Sequence, residues 1–191
     1  MSYARGPLDS ASFPDVLRAA KQGESWAAEQ LFVDLQPRLL RYLRSGLERA
    51  AADELAGEVW LAMARGVGAF EGDLSSFRAS MFTIAHRLVA DHRRSAGPRS
   101  ATPTERLSAQ DAVDLITGSL PDEHAELLLL RVLGELDVLK VAEVMGRSPN
   151  WVRVTQHRAL RRLADALEHT GRQEESDEAV IPQPRSAIFT S

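Results

Sequence analysis

Apolar residues in the first half of the chain recur every three to four positions. Leu31, Leu35, Leu39 and Tyr42 form one such series and Leu55, Val59 and Met63 another, the spacing that lines one face of an α-helix. Breaks fall at Gly23, Gly46, Gly66 and Gly72. Between Asp15 and Arg94 the pattern predicts four helices, at roughly 14–21, 25–45, 52–68 and 75–94. From Ser95 to Asp111 the periodicity stops, and the segment's prolines, glycine and hydroxyl side chains leave little apolar area to bury. Residues 96–111 are therefore read as a flexible linker. A second periodic block, 112–169, is punctuated by Leu120-Pro121-Asp122 and by Met145-Gly146-Arg147-Ser148-Pro149, and predicts about four more helices. Residues 1–13 are read as a flexible amino terminus, and 170–191, acidic and then proline-dotted, as a disordered tail. Strand-like alternation never lasts more than a few residues. The expected fold is all-α, with two small helical domains that fold separately.

Composition narrows the function. At 191 residues and 44% hydrophobic, the chain can bury one ordinary core or two small ones. No run approaches the roughly 18 apolar residues that cross a bilayer, and Met1 to Ser12 lack the apolar stretch of a signal peptide, so a cytoplasmic location is expected. The absence of cysteine removes disulfides, thiol nucleophiles and cysteine-bound zinc. There is no phosphate-binding glycine loop, nucleophile motif or histidine pair at metal spacing, so neither an enzyme nor a cofactor or metal is expected. A net charge of −4 means that any nucleic-acid role must rest on local basic patches.

One such patch lies between Val138 and Leu167. Val138, Val141, Ala142 and Met145 share a face of a short helix, Gly146 permits the left-handed turn that ends it, and Ser148 with Pro149 opens the next helix. On that second helix Val152, Ala159 and Leu163 form an inward stripe. Asn150, Trp151, Arg153, Thr155, Gln156, His157, Arg158, Arg161 and Arg162 occupy the rest, with no acidic residue from Arg147 to Arg162. A helix lying in the major groove needs such a set, with cations for phosphates and guanine edges and amides or hydroxyls near its start for other base edges. A solvated basic face on a packing helix is the plainer alternative. Trp151 serves either as a wedge against the preceding helix or as a DNA contact.

The run from Leu120 to Arg131, then Val141-Ala142-Glu143-Val144-Met145-Gly146 and Val152 to Leu163, resembles region 4 of the extracytoplasmic-function (ECF) sigma factors of the sigma-70 family. In the first block Pro37 to Tyr42, Asp53 to Leu61, Ser76-Phe77-Arg78-Ala79, Ile84-Ala85-His86 and Asp91-His92-Arg93-Arg94 resemble the successive parts of region 2 of the same family. The resemblance implies a sigma factor that binds RNA polymerase core and directs promoter-specific initiation. Residues 14–95 would melt and read the minus-10 element, and 112–169 would read the minus-35 element and lean on the polymerase beta flap. A free-standing helix-turn-helix regulator is the alternative. For minus-35 contacts the resemblance points to Ser148, Asn150, Trp151, Arg153, Val154, Gln156, His157, Arg158, Arg161 and Arg162. For the minus-10 element it points to the loop Gly72, Asp73, Leu74 and Ser75 with Arg78, His86, Arg87, Arg93 and Arg94, a loop to hold a flipped base and cations to grip the backbone. Asp53, Glu54, Glu58 and Trp60 would meet the clamp helices of the beta prime subunit, the carboxylates giving that helix an acidic face. Phe77 and Phe82 fit the buried stripe with Met81, Ile84 and Leu88. The chain departs from the family at Thr155 and Gln156, where arginine and an aliphatic residue are commoner, and at Ser80 and Thr83, where the family often has tryptophan and arginine. An anti-sigma factor is the further partner implied.

Overall fold

The computed structural model describes residues 7–96 and 112–178, so most of the expected linker and the end of the expected tail lie outside the described residues. Those described form eight α-helices and no strand. The amino-terminal block comprises α1 (Phe13–Lys21), α2 (Ser25–Arg44), α3 (Arg49–Gly66), a single 3₁₀ turn (Val67–Ala69) and α4 (Leu74–Ala96). The carboxy-terminal block comprises α5 (Ala112–Ser119), α6 (Asp122–Val132), α7 (Val138–Met145) and α8 (Pro149–Glu178).

The caps explain where several helices begin. Asp73 Oδ1 accepts from the Ser76 amide at 2.7 Å at the start of α4, and Asp137 Oδ1 accepts from Lys140 at 2.8 Å at the start of α7. Pro121 precedes α6, whose first turn carries Asp122 and Glu123 against the positive end of the helix dipole. Helix α2 continues through Pro37, which lies on its exposed side and cannot donate to the helical ladder.

In the amino-terminal block α2 packs on α1, α3 and α4, burying Leu31, Leu35, Leu39, Leu43, Val59, Phe77, Met81 and Phe82. Phe77 meets Phe13 and Phe70 at ring distances of 5.5 and 5.1 Å, and Phe82 meets Tyr42 edge-on at 5.3 Å. Phe77 and Phe82 are core, as their spacing predicted. The amino terminus departs from expectation at residues 7–12, because Leu8 is buried with its amide held by Asp34 at 2.9 Å, and Asp9 and Ser12 bond each other. One apolar side chain with a bonded backbone is enough to pin the segment.

The blocks do not stand apart. Helices α4 and α7 share the most extensive contact between any two helices, and the buried apolar residues of both blocks form one continuous cluster. At the junction Gly134 lies so close to its surroundings that a β-carbon there would stand 2.6 Å from the Leu130 carbonyl oxygen and 3.2 Å from Phe82. Helix α6 buries Leu127, Leu128, Leu129 and Leu130 together, so it has neighbours on several sides and not one buried stripe. The tail also departs from expectation. Helix α8 runs on to Glu178, into the segment read as disordered, since Arg172, Gln173, Glu174 and Glu175 are good helix formers that can prolong a helix without an apolar stripe.

Candidate nucleic-acid interface

Helices α7 and α8 form the expected helix-turn-helix. Gly146 ends α7 at φ 63° and ψ 33°, the left-handed conformation, and the Ser148 hydroxyl accepts from the Trp151 amide at 3.1 Å to cap α8. Val141, Ala142, Val144, Val152 and Ala159 are buried, where α7 and α8 pack on each other and on α6, and α7 also on α4. Asn150, Arg153, Val154, His157, Arg158, Arg161 and Arg162 are exposed along α8, so the cationic face is open. Thr155, read above as part of that outer set, is only 4% exposed. It falls three residues after Val152 and four before Ala159, on their inward face. Gln156 is half-buried with its Oε1 enclosed. Trp151 packs partly against the core while the Arg147 guanidinium lies 5.2 Å from its ring centroid, which makes it a wedge at the turn as well as an edge of the open face.

On α3, Asp53, Glu54 and Glu58 are exposed, with Asp53 held by Arg44 at 2.8 Å. Trp60 is half-buried, its indole donating to Gln36 at 2.5 Å and its ring 5.3 Å from Phe32. It thus fastens α3 to α2 and shows only part of its surface.

The residues expected to serve the minus-10 element divide. Gly72 and Asp73 are exposed and Ser75 is half-buried, whereas Leu74 is buried in the core and offers only its backbone. Arg87, Arg93 and Arg94 are exposed, with Arg94 paired to Asp91 and the Arg93 guanidinium over Gly46. Arg78 and His86 are engaged by the other block. Arg78 is 8% exposed and ion-paired to Glu135, which also takes Arg38 at 2.6 Å. His86 Nδ1–H donates to Glu126 at 2.6 Å, and the Tyr42 hydroxyl donates to the same oxygen at 2.5 Å. Between the blocks, Phe70, Ser76, Ser80 and Thr83 on one wall and Lys140 and Glu143 on the other line a cleft of about 450 Å³. No group of acidic and histidine side chains among the described residues could hold a metal.

The contact between Glu126 and His86 has a pH signature. The hydrogen bond that His86 donates to Glu126 raises the pKa of His86 above its ordinary 6.5, against burial and against Arg93 and Arg87 nearby. Burial works to raise Glu126, but hydrogen bonds from His86 and Tyr42, with the charges of His86 and Arg93, leave it below its ordinary 4.5. The His86 contribution is complete below 6.5 and is lost as pH rises through the raised value, and that of Glu126 is complete above 4.5 and is lost as pH falls through the lowered one. The stability difference between the native chain and a His86→Gln variant is expected to be largest at about pH 5 to 6.5 and to shrink above it. Urea unfolding at stepped pH measures this, and a difference that does not change with pH contradicts it.

Comparison with known proteins places this geometry. Residues 31–99 match the family described as Sigma-70 region 2. Over 174 residues the chain is 33% identical to the ECF RNA polymerase sigma factor ShbA of Streptomyces griseus, covering 78% of this chain and 91% of that protein. It is 30% identical over 178 residues to the ECF RNA polymerase sigma factor SigD of Mycobacterium tuberculosis, covering 82% of this chain and 84% of that one. Among solved structures it is similar to CnrH, determined in complex with the cytosolic domain of CnrY, with a TM-score of 0.61 and 22% identity over 83% of this chain and 98% of that one. With similarity of this extent running through both helical blocks, the chain belongs to the ECF family of RNA polymerase sigma factors.

Proposed function

We propose that the two blocks divide promoter recognition between them when the chain is bound to RNA polymerase core. The block within 112–169 reads the minus-35 element by laying the first turns of α8 in the major groove, with Asn150, Arg153, Val154, His157 and Arg158 toward the bases and Arg161 and Arg162 on phosphates. The observation that carries this reading is the acid-free cationic face on a helix whose opposite side, Val152, Thr155 and Ala159, is buried against α7 and α6. The block within 14–95 opens and reads the minus-10 element through the loop before α4 and the cations along it, and α3 meets the beta prime clamp helices through Asp53, Glu54 and Glu58. The beta flap receives the carboxy-terminal block. No step of this role asks for a catalytic residue or a cofactor, and it is exercised in the cytoplasm, where the polymerase works. Among the described residues no helix is long and apolar enough to cross a membrane. CnrH was solved with the cytosolic domain of a second protein, and a protein of the anti-sigma kind is the corresponding partner here.

Charge reversal tests the docking part. Asp53→Lys with Glu54→Lys is expected to weaken binding to core polymerase about tenfold or more, because facing charges of like sign repel across an interface. The fold should survive, since both side chains are exposed and such charges add little to stability. Native circular dichroism with unchanged core affinity would remove α3 from the docking surface.

A further inference from the structure

We propose that Trp151 recognises a thymine methyl group at one edge of the minus-35 element, and that Glu123 and Arg147 are positioning residues that hold its ring for that contact. This inference rests on the assignment of α8 to the minus-35 element.

The ring is held at three points. Trp151 is the third residue of α8, and its amide donates to the Ser148 hydroxyl at 3.1 Å, which sets its backbone. It precedes Val152 by one place and Thr155 by four, so it stands beside the inward face, packed partly on the core and partly open. The Arg147 guanidinium lies over the ring, 5.2 Å from its centroid. Arg147 is tied down in turn, since its Nε donates to Glu123 Oε1 at 2.8 Å and one of its outer nitrogens donates to the same oxygen. Glu123 belongs to the first turn of α6, so a ring on the recognition helix is braced from another helix. A side chain fixed before binding loses little freedom when it meets DNA, and a contact as small as one methyl group then counts.

Charge decides what the ring meets. Arg147 and Glu123 are paired, which leaves one neutral, apolar corner on a helix face that is otherwise cationic from Arg153 to Arg162. A phosphate brought to that corner would face the Glu123 carboxylate, a like charge, while the exposed guanidinium groups of Arg161 and Arg162 attract it elsewhere. Base edges remain. In the major groove thymine alone presents an apolar group, its 5-methyl, and the other bases present hydrogen-bonding atoms. The edge of an aromatic ring suits that methyl and gains nothing from the others.

Deoxyuridine differs from thymidine only by the methyl group, so it isolates the contact. The chain assembled with core polymerase is bound to a promoter that it transcribes, in which each thymine of the minus-35 element, on either strand, is replaced in turn by deoxyuridine. One replacement is expected to weaken binding about fourfold, the worth of one buried methyl group, and to have no effect once Trp151→Ala has removed the ring. Trp151→Phe, which keeps an aromatic ring, should retain part of the discrimination. Arg147→Gln and Glu123→Gln leave the ring and remove the brace, and each should lose most of it. Both side chains are exposed, so these variants keep the fold. Salt dependence separates a positioning arginine from a phosphate contact. Arg147→Gln should leave the salt slope unchanged, whereas Glu123→Gln, which frees the guanidinium for a phosphate, should raise it by about one.

If no deoxyuridine replacement distinguishes the native chain from Trp151→Ala, the ring reads no methyl group and the proposal falls. Full discrimination in Arg147→Gln and Glu123→Gln, or a salt slope lowered by about one in Arg147→Gln, would remove the positioning role and make Arg147 a bystander or a phosphate contact. Failure of the minus-35 assignment looks different: no base change in that element, deoxyuridine or any other, then alters binding, with or without alanine at Arg153, His157 and Arg158.

Discussion

Replacing Phe82 with alanine is expected to lower the stability of the chain by roughly 3 to 5 kcal/mol, the usual range for emptying a buried phenylalanine site. Phe82 is fully buried, meets Tyr42 edge-on and borders the space that a β-carbon at Gly134 would enter. It therefore belongs to the core of one block and to the junction with the other. The loss should be read by both sets of tryptophans, Trp26 and Trp60 in the amino-terminal block and Trp151 in the carboxy-terminal block, because the junction ties their unfolding together. Phe82→Leu, which keeps most of the volume, should cost clearly less. Urea unfolding followed by fluorescence and far-ultraviolet circular dichroism gives both quantities. A loss below about 1 kcal/mol, or a change confined to one block, would mean that the apolar junction does not unite them.

The second large effect concerns α8. Alanine at Arg153, His157 or Arg158 is expected to cost about 1 to 3 kcal/mol at whichever position reads a base and to relax the preference there. Alanine at Arg161 or Arg162 should weaken all sequences alike and lower the salt slope by about one for each phosphate that is no longer gripped. All five side chains are exposed on the acid-free face, so neither group should unfold the protein. Transcription from single-base variants of the minus-35 element at two salt concentrations separates the two behaviours. If Arg161 and Arg162 altered base preference while the first three depressed every variant equally, the helix would lie in the groove with the opposite sense.

The helices were legible because their signals are local. Leu31 to Tyr42 and Leu55 to Met63 lie on single faces, Gly146 and Ser148 mark a turn whose chemistry admits few alternatives, and all three placed the structure's elements to within a few residues. Thr155 was legible and misplaced. Its hydroxyl suggested an outward side chain, yet its position relative to Val152 and Ala159 is inward, and on a packed helix position outweighs polarity. The union of the blocks was not visible in the same way. Glu126 finds Tyr42 and His86, and Glu135 finds Arg38 and Arg78, across sequence separations of 40 to 97 residues, and no periodicity encodes such pairs. The four consecutive leucines Leu127 to Leu130 leave no polar face on that part of α6, but they are accounted for by α5, α7 and α8 of the same block and do not announce the other one. A proline-containing linker says that two segments are connected loosely, and it carries no information about whether their surfaces meet.

The division of promoter reading between two blocks, available only on the polymerase, is tested most directly by footprinting one promoter with the chain alone, with core polymerase alone and with both. Permanganate reactivity of unpaired thymines is read in the same samples. The account predicts protection of the minus-35 and minus-10 elements, with reactive thymines at minus-10, only when chain and core are both present. Strong protection of the duplex by the chain alone, or thymine reactivity without minus-35 protection when both are present, would contradict it.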